Sequence, residues 1–435
     1  MKLGLLSALI LLSSGCAMAT AKLQPVTIER TDEGYVLMRG GAPYEVRGVG
    51  IGMDDPNAKL RYEQLKASGG NSFRTWNIGD RALLDRAHEL GLTVALCLDV
   101  RRERHGFDYG DPEAVRAQFE ALKQQVMAFR DHPALLVWVI GNELNHDYSD
   151  PRVYDAVNDI SRMIHEVDPH HPTTTTTAGI SPSLARVIAE RAPDLDFISV
   201  QVYGALATLP EQIREIELDK PLMVTEWGTI GHWEVPTTEW GAPLELDSAA
   251  KAENYRQGAA VSLAELSPWL IGNYAFLWGQ KQERTPTWYG VFVDEAPTQA
   301  VDVLQEFWTG APPNRPAPVL QDLRLDGRTA EQSVRLRAGQ VVRAEVTADS
   351  AWGSTLSVRW ELLEESTATQ SGGDPEERPA ARPEALGERS TNAVAIEVPA
   401  EVGAYRLFVY VTDEAGAVAH ANVPFLVEEG MLSGN

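Results

Sequence analysis

From residue 45 to residue 308 short apolar runs alternate with longer stretches in which apolar positions recur every three or four residues. The runs at 45–51, 71–76, 92–99, 134–140, 172–177, 196–202, 221–225 and 270–277 predict strands. Helical spacing follows near 58–68, 79–90, 111–130, 150–167, 181–191, 207–217, 247–266 and 296–308. The third, fourth and eighth runs are almost continuously apolar, as parallel strands covered on both faces must be. Eight strand–helix repeats over about 260 residues fit an α/β fold of the (β/α)8 TIM barrel type. The segment "VGIGMDDP" lacks the glycine spacing of a dinucleotide fingerprint, which argues against an open doubly wound sheet.

The pattern changes at "APPNRPAP", residues 311–318, where four prolines make a stiff linker. Beyond it, alternating or apolar runs such as "LSVRWEL", "AVAIEVP", "YRLFVYV" and "ANVPFLV" predict a small all-β immunoglobulin-like sandwich over 319–430. The polar, Pro-rich "EESTATQSGGDPEERPAARPEALGERS" within it predicts a long mobile loop. Ahead of the barrel, 20–44 reads as a β-hairpin lead-in, so the barrel proper is placed at 45–310.

Residues 1–19 read as a signal peptide: one Lys, an apolar run too short to span a bilayer, then small residues. "SSGCA" resembles a bacterial lipobox, with Cys16 as the lipidation site, although Ser13 stands where Leu is usual. Export follows, either as a periplasmic or outer-membrane lipoprotein held by lipid on Cys16 or as a secreted protein cut after "AMA". The only other cysteine, Cys97, sits in the apolar run "LTVALCLDV" and reads as an inert buried thiol. Hydrophobic residues at 44% and charged residues at 23% exclude wholesale disorder. A net charge of −24 argues against nucleic acid as a partner and leaves a neutral carbohydrate open. The nine histidines show no metal-ligand spacing, so neither a metal nor another cofactor is expected.

In a barrel the chemistry lies just past the C-terminal ends of the strands. Those positions are Arg74, Asp99, Asn142, Glu143, Tyr203, Glu226 and Trp278. "HPALLVWVIGNELN" and "PLMVTEWG" share one logic: an apolar run ends abruptly on a carboxylate, Glu143 in one and Glu226 in the other. Strands four and seven stand three steps apart around an eight-strand ring, so the two groups can face each other across the mouth. Paired carboxyls across a cleft are the equipment of glycoside hydrolysis. Asn142 is placed to bond a sugar 2-hydroxyl, and the loop "GTIGHWEVPTTEWGAPLELD", with His232 and Trp233, is the candidate subsite wall beside Trp227. The threonine run "HPTTTTTAG" suits a strand and is assigned no chemistry.

"VWVIGNE" and "VTEWG" resemble the acid/base and nucleophile segments of retaining β-glycosidases with (β/α)8 barrels, nearest to the glycoside hydrolase family 2 catalytic domain, with family 5 close by. "GGNSFRTW", "DFISVQVYG" and "NYAFLW" are similar to the family segments that carry a strand 2 Arg, a Tyr bonding the nucleophile, and a Trp under the sugar. The resemblance therefore implies these roles for Arg74, Tyr203 and Trp278, with Glu143 as acid/base and Glu226 as nucleophile. Two departures stand out. Family 2 enzymes usually carry further β domains before the barrel, and the family 5 "NEP" is absent because Leu144 follows Glu143.

The expected activity is retaining hydrolysis of a neutral oligo- or polysaccharide, such as a β-glucan, by double displacement. Retention requires carboxyls about 5–5.5 Å apart, against roughly 9 Å for inversion. A transglycosylase of the same mechanism and a non-catalytic glycan-binding surface lipoprotein are the alternatives.

Overall fold

The computed structural model describes residues 23–429 except residue 371. Cys16 lies outside them.

The barrel strands are strand 1 (Gly48–Gly50), strand 2 (Ser72–Arg74), strand 3 (Thr93–Leu98), strand 4 (Leu135–Ile140), strand 6 (Ile198–Gln201), strand 7 (Leu222–Trp227) and strand 8 (Leu270–Ala275). Strand 5 is split into Thr173–Thr174, which pairs with strand 4, and Thr176–Ala178, which pairs with strand 6. The parallel ring therefore runs 5-4-3-2-1-8-7-6-5 and closes through the broken strand. The split is bridged by side chains: Thr175 turns its hydroxyl onto the Ile140 carbonyl at 2.7 Å. All five threonines of the run are buried.

The helices fall close to where the 3.6-residue spacing places them, and four of them open on a side-chain cap, from Asp80, Asp111, Ser181 and Asp247. Pro112–Phe129 begins at Asp111, whose carboxylate accepts from the Glu113 and Ala114 amides, and Pro182–Arg191 begins at Ser181. The stretch expected as one helix over 247–266 is interrupted. A regular helix over Ser248–Gln257 passes into a π turn at Gly258–Ser262, where Gly258 backs onto the Trp227 ring.

The lead-in hairpin, Val26–Thr31 with Gly34–Arg39, closes the N-terminal face of the barrel. Its Val26 amide donates to the His170 carbonyl and its Arg39 to the Pro133 carbonyl, both just ahead of barrel strands. The apolar cluster of Val26, Leu37, Val46, Cys97, Val137 and Met223 fills the space behind it. Burial pushes the Cys97 thiol up to about 12, so it stays protonated. The opposite face is left open as the mouth.

The C-terminal region is a sandwich of two four-stranded sheets. One pairs Val319–Leu325, Val341–Asp349, Ala393–Glu397 and Leu386–Arg389; the other pairs Val334–Arg337, Val418–Glu428, Gly403–Thr412 and Ser357–Glu364. Val341–Asp349 alternates exposed and buried, as a strand with one wet face should. Gly403–Thr412 and Val418–Glu428 are buried almost throughout, because their second face meets the barrel. A buried polar knot joins the two domains: Glu245 of the barrel accepts from Lys251 at 2.5 Å, from Thr287 at 2.8 Å and from the sandwich's Asn422 at 2.7 Å. Arg406 of the sandwich reaches the Pro243 carbonyl at 2.9 Å. Such a knot favours one docking geometry, since any displacement leaves buried charge unpaired. The polar segment expected as a mobile loop also meets the barrel on both sides of residue 371, through Ala368, Gln370 and residues 372–376.

Candidate active site

At the mouth a cavity of about 910 Å³ has both Glu143 and Glu226 in its lining. Glu226 is the penultimate residue of strand 7 and only 5% exposed. Its Oε1 accepts from Arg74 Nη1 at 2.6 Å and from Trp76 Nε1 at 2.8 Å, and its Oε2 accepts from the Tyr203 hydroxyl at 2.7 Å. Three donors thus converge on one carboxylate, two of them on Oε1. Gly50 lets Trp76 lie this close, since a Cβ there would stand 2.7 Å from the indole. The Tyr203 hydroxyl is pushed well above its ordinary range by burial first and by the Glu226 charge second, so it remains a donor.

Glu143 is held differently. Strand 4 ends at Ile140, and the chain turns through Gly141 at φ +77° and Glu143 itself at φ +50°. Gly141 is needed because a Cβ would meet the Leu144 side chain at 2.7 Å. Leu144 plugs the underside of the turn, and Asn145 clamps it to strand 5 by donating to the Ala178 carbonyl at 2.9 Å and accepting from the Ala178 amide at 2.8 Å. The Glu143 amide donates to Thr176 Oγ1 at 3.1 Å. "NELN" is thus a complete turn in which Leu144 and Asn145 both have structural tasks. Among the described residues no protein group hydrogen-bonds the Glu143 carboxyl. Burial raises its pKa to about 8, the Glu226 charge adds to the rise, and Arg74, Arg104 and Arg102 pull the other way.

Asn142 joins the same cluster through Arg74. Its Oδ1 accepts from Arg74 Nη2 at 2.8 Å and Gln201 Nε2 at 2.8 Å, with Thr176 Oγ1 at 3.4 Å. The amide orientation is therefore fixed, and its Nδ2 is the group left to face the cavity. Arg74, fully buried, ties the cluster together by bonding both Glu226 and Asn142.

Residues 52–232 match the family described as "Glycosyl hydrolases family 2, TIM barrel domain". That stretch takes in strands 2 to 7 of the barrel, so this part of the chain is similar to the family's barrel domain. The fold of the chain is similar to that of a β-galacturonidase from Eisenbergiella tayi bound to galacturonate, at TM-score 0.53 and 17% identity, covering 66% of this chain and 55% of that one. It is also similar to a β-D-glucuronidase from Dictyoglomus thermophilum, at TM-score 0.52 and 19% identity over 66% and 54%. A Bacteroides uniformis β-glucuronidase matches at TM-score 0.51 and 15% identity over 93% and 48%. The chain spans about half the length of these solved structures. No curated protein matches the sequence.

Of the residues expected at the site, the barrel brings together Arg74, Asn142, Glu143, Tyr203, Glu226 and Trp233. Trp233 is 59% exposed, with its ring edge-on to Tyr203 at 5.8 Å. Four expectations are corrected. Asp99 stands outside the cavity, 61% exposed and 3.7 Å from Arg102, because the chain turns outward after Leu98; Arg102, Arg104 and His105 line the cavity in its place. Trp227 alternates with Glu226 and so faces the helices, bonding Asn273 Oδ1 at 3.0 Å and packing on Tyr255. Trp278 lies in the core against Phe292 and Trp308, with Nε1 on the Arg61 carbonyl; Phe276 and Leu277 reach the cavity instead. His232 sits one layer behind the wall, its Nε2 3.8 Å from Glu283, and burial lowers its pKa to about 4.

Trp76, at a strand end where a ring can stack on a sugar face, also donates to Glu226, and three further groups were not read from the sequence. Gln201 and Thr176 fix Asn142 and the Glu143 turn. Glu283 is a buried cavity carboxylate, raised by burial and paired with Lys281 at 2.8 Å. Gln201 carried the same signal as Asn142, a lone amide ending an apolar strand. Among the described residues no group of three or more His, Cys, Asp or Glu could hold a metal ion, and no helix is long and apolar enough to cross a membrane.

Proposed function

We propose that the chain is a retaining β-glycoside hydrolase working by double displacement. The observation that carries this reading is the contrast within the cavity: the Glu226 carboxylate bound by three donors, the Glu143 carboxyl bonded by none of the described residues and its pKa raised to about 8. Glu226, ionised, attacks the anomeric carbon as the bond to the leaving oxygen breaks. Glu143 gives its proton to that oxygen, so the aglycone departs neutral and a glycosyl ester forms on Glu226. The ester removes the Glu226 charge, and the Glu143 pKa falls with it. Glu143, now a carboxylate, takes a proton from water as the water oxygen attacks the same carbon and Glu226 leaves. Asn142 Nδ2 is placed to bond the 2-hydroxyl, where charge changes most in the oxocarbenium-like transition state.

The substrate proposed is a neutral β-linked oligosaccharide or polysaccharide. Recognition of a uronate carboxylate calls for a cation free to meet it. The Lys and Arg side chains lining this cavity already have partners on the protein: Arg61 with Asp55, Arg102 with Asp99, Arg104 with Asp374, Lys281 with Glu283 and Arg378 with Glu361. A uronide is the second reading, since two of the similar folds are named β-glucuronidases and one a β-galacturonidase. A panel of aryl β-glycosides that includes glucuronide and galacturonide, with Glu143→Gln/Glu226→Gln as control, tests both. Turnover of a neutral glycoside that the double variant lacks is expected. Binding of glycans without any turnover would favour a non-catalytic role, and a β-linked disaccharide as main product at high substrate would favour transglycosylation. Export with lipid on Cys16 is part of the same proposal, and Cys16→Ala should move the protein from the membrane to the soluble fraction.

A further inference from the structure

The cavity is not built by the barrel alone. Gly372, Gly373, Asp374, Pro375 and Glu376, all from the sandwich, line it together with Glu143 and Glu226. The barrel grips this segment at two places. On the loop after strand 3, Arg104 Nη1 donates to Asp374 Oδ2 at 2.6 Å, and His105 Nε2 lies 3.1 Å from the same oxygen. On the loop after strand 8, Lys281 Nζ donates to the Gly373 carbonyl at 2.7 Å, and the Arg284 amide donates to Glu376 Oε2 at 2.8 Å. Arg284 holds φ +59°, an unfavourable region for arginine, and its guanidinium bonds the Ala368 and Gln370 carbonyls. The Glu376 side chain is only 1% exposed, so a sandwich carboxylate is sealed into the rim of the barrel. The Glu245–Asn422 knot fixes the body that carries it.

We propose that sandwich residues 372–378 are a substrate-contacting wall that bridges the loops after strands 3 and 8, makes the cleft a blind pocket, and confines cleavage to chain ends and short oligosaccharides. A glycan running through the mouth would have to cross this bridge. The segment is held by Asp374 on Arg104 and His105 and by the buried Glu376 carboxylate 3.6 Å from Arg284, so opening the bridge would take Glu376 from its cation. The cavity, about 910 Å³, lies within the range of small-ligand sites, about 300–1,000 Å³. The proposal rests on the glycosidase reading of the same site.

The test uses the full chain with residues 372–378 replaced by a three-residue Gly-Ser link, and separately Asp374→Ala, which keeps the segment but frees it from Arg104 and His105. The substrates are the aryl β-glycoside selected by the panel and a ladder of its β-linked oligosaccharides and polymer. The wild-type protein should release terminal units only and leave polymer viscosity unchanged. In the Gly-Ser variant, KM on short oligosaccharides should rise about tenfold or more with a smaller change in kcat, and internal cuts should appear. Asp374→Ala should shift both readouts the same way by less, and it decides the matter if the replaced chain fails to fold. Internal cutting by the wild type, or unchanged KM and products in the variants, would overturn the wall. Calorimetric titration of a tetrasaccharide into Glu226→Gln chains, with and without the replacement, separates the two readings. Binding that weakens with the replacement while the wild type turns over nothing supports the wall and removes the hydrolase.

Discussion

The two ends of the catalytic pair are built in opposite ways. Glu226 stands on a strand, almost sealed from solvent, with Arg74, Trp76 and Tyr203 all donating to it. Glu143 stands one turn past a strand end, in left-handed backbone, with its amide on Thr176 Oγ1 and its carbonyl accepting from the His146 amide, while no described protein group bonds its carboxyl. A carboxylate met by donors stays charged, and one met by apolar surface and a neighbouring negative charge takes up a proton. On the proposed mechanism one local environment suits a nucleophile and the other an acid, so two chemically identical side chains would take different tasks.

The largest effect that could break this contrast comes from the nucleophile itself. Glu226→Ala should lower kcat by about 10⁴-fold or more, and added azide should restore turnover as a glycosyl azide of inverted configuration. Absence of rescue would remove Glu226 from that role. Next in size is Arg74→Met, which leaves the Glu226 carboxylate buried without its cation and loosens Asn142. It should cost about 10²–10³-fold in kcat, as loss of a charge-stabilising donor does, and about 3–5 kcal/mol of stability measured by denaturant unfolding. Smaller is Thr176→Val, which takes away the acceptor for the Glu143 amide while leaving the side chain volume in place. A loss near 1 kcal/mol, roughly fivefold in kcat, is expected on substrates with poor leaving groups, and less on activated aryl glycosides that need no acid.

The pH profile sharpens the contrast most gently. Glu143 must carry its proton, so kcat/KM should fall as pH rises through its raised pKa, with a basic limb near pH 8. Arg104 already pulls that pKa down, and Asp374→Ala would leave its charge less compensated. The basic limb of that variant should therefore move to lower pH. A limb unchanged by both Asp374→Ala and Glu143→Gln would detach Glu143 from the acid role.

Much of this was legible in the sequence because barrel strands buried on both faces leave apolar runs, and a run that stops on a carboxylate marks the mouth. The same rule placed Glu143, Glu226, Asn142, Arg74 and Tyr203. It failed where side chain direction mattered more than position. Trp227 follows Glu226 on one strand and so must face the other way, while Trp278 lies past the end of strand 8, where strand alternation no longer fixes direction. Asp99 failed because a one-residue turn after Leu98 reverses its side chain. The sandwich wall was hidden for another reason. Its polar composition correctly excludes a hydrophobic core, yet nothing local says that Asp374 meets Arg104, 270 residues earlier in the chain.

The most direct test of the double displacement is the anomer released first. With an aryl β-glycoside turned over by the wild-type chain and followed by proton NMR, the β-hemiacetal should appear before mutarotation supplies the α form. Initial appearance of the α form would contradict the assignment of Glu226 as nucleophile and Glu143 as its acid partner.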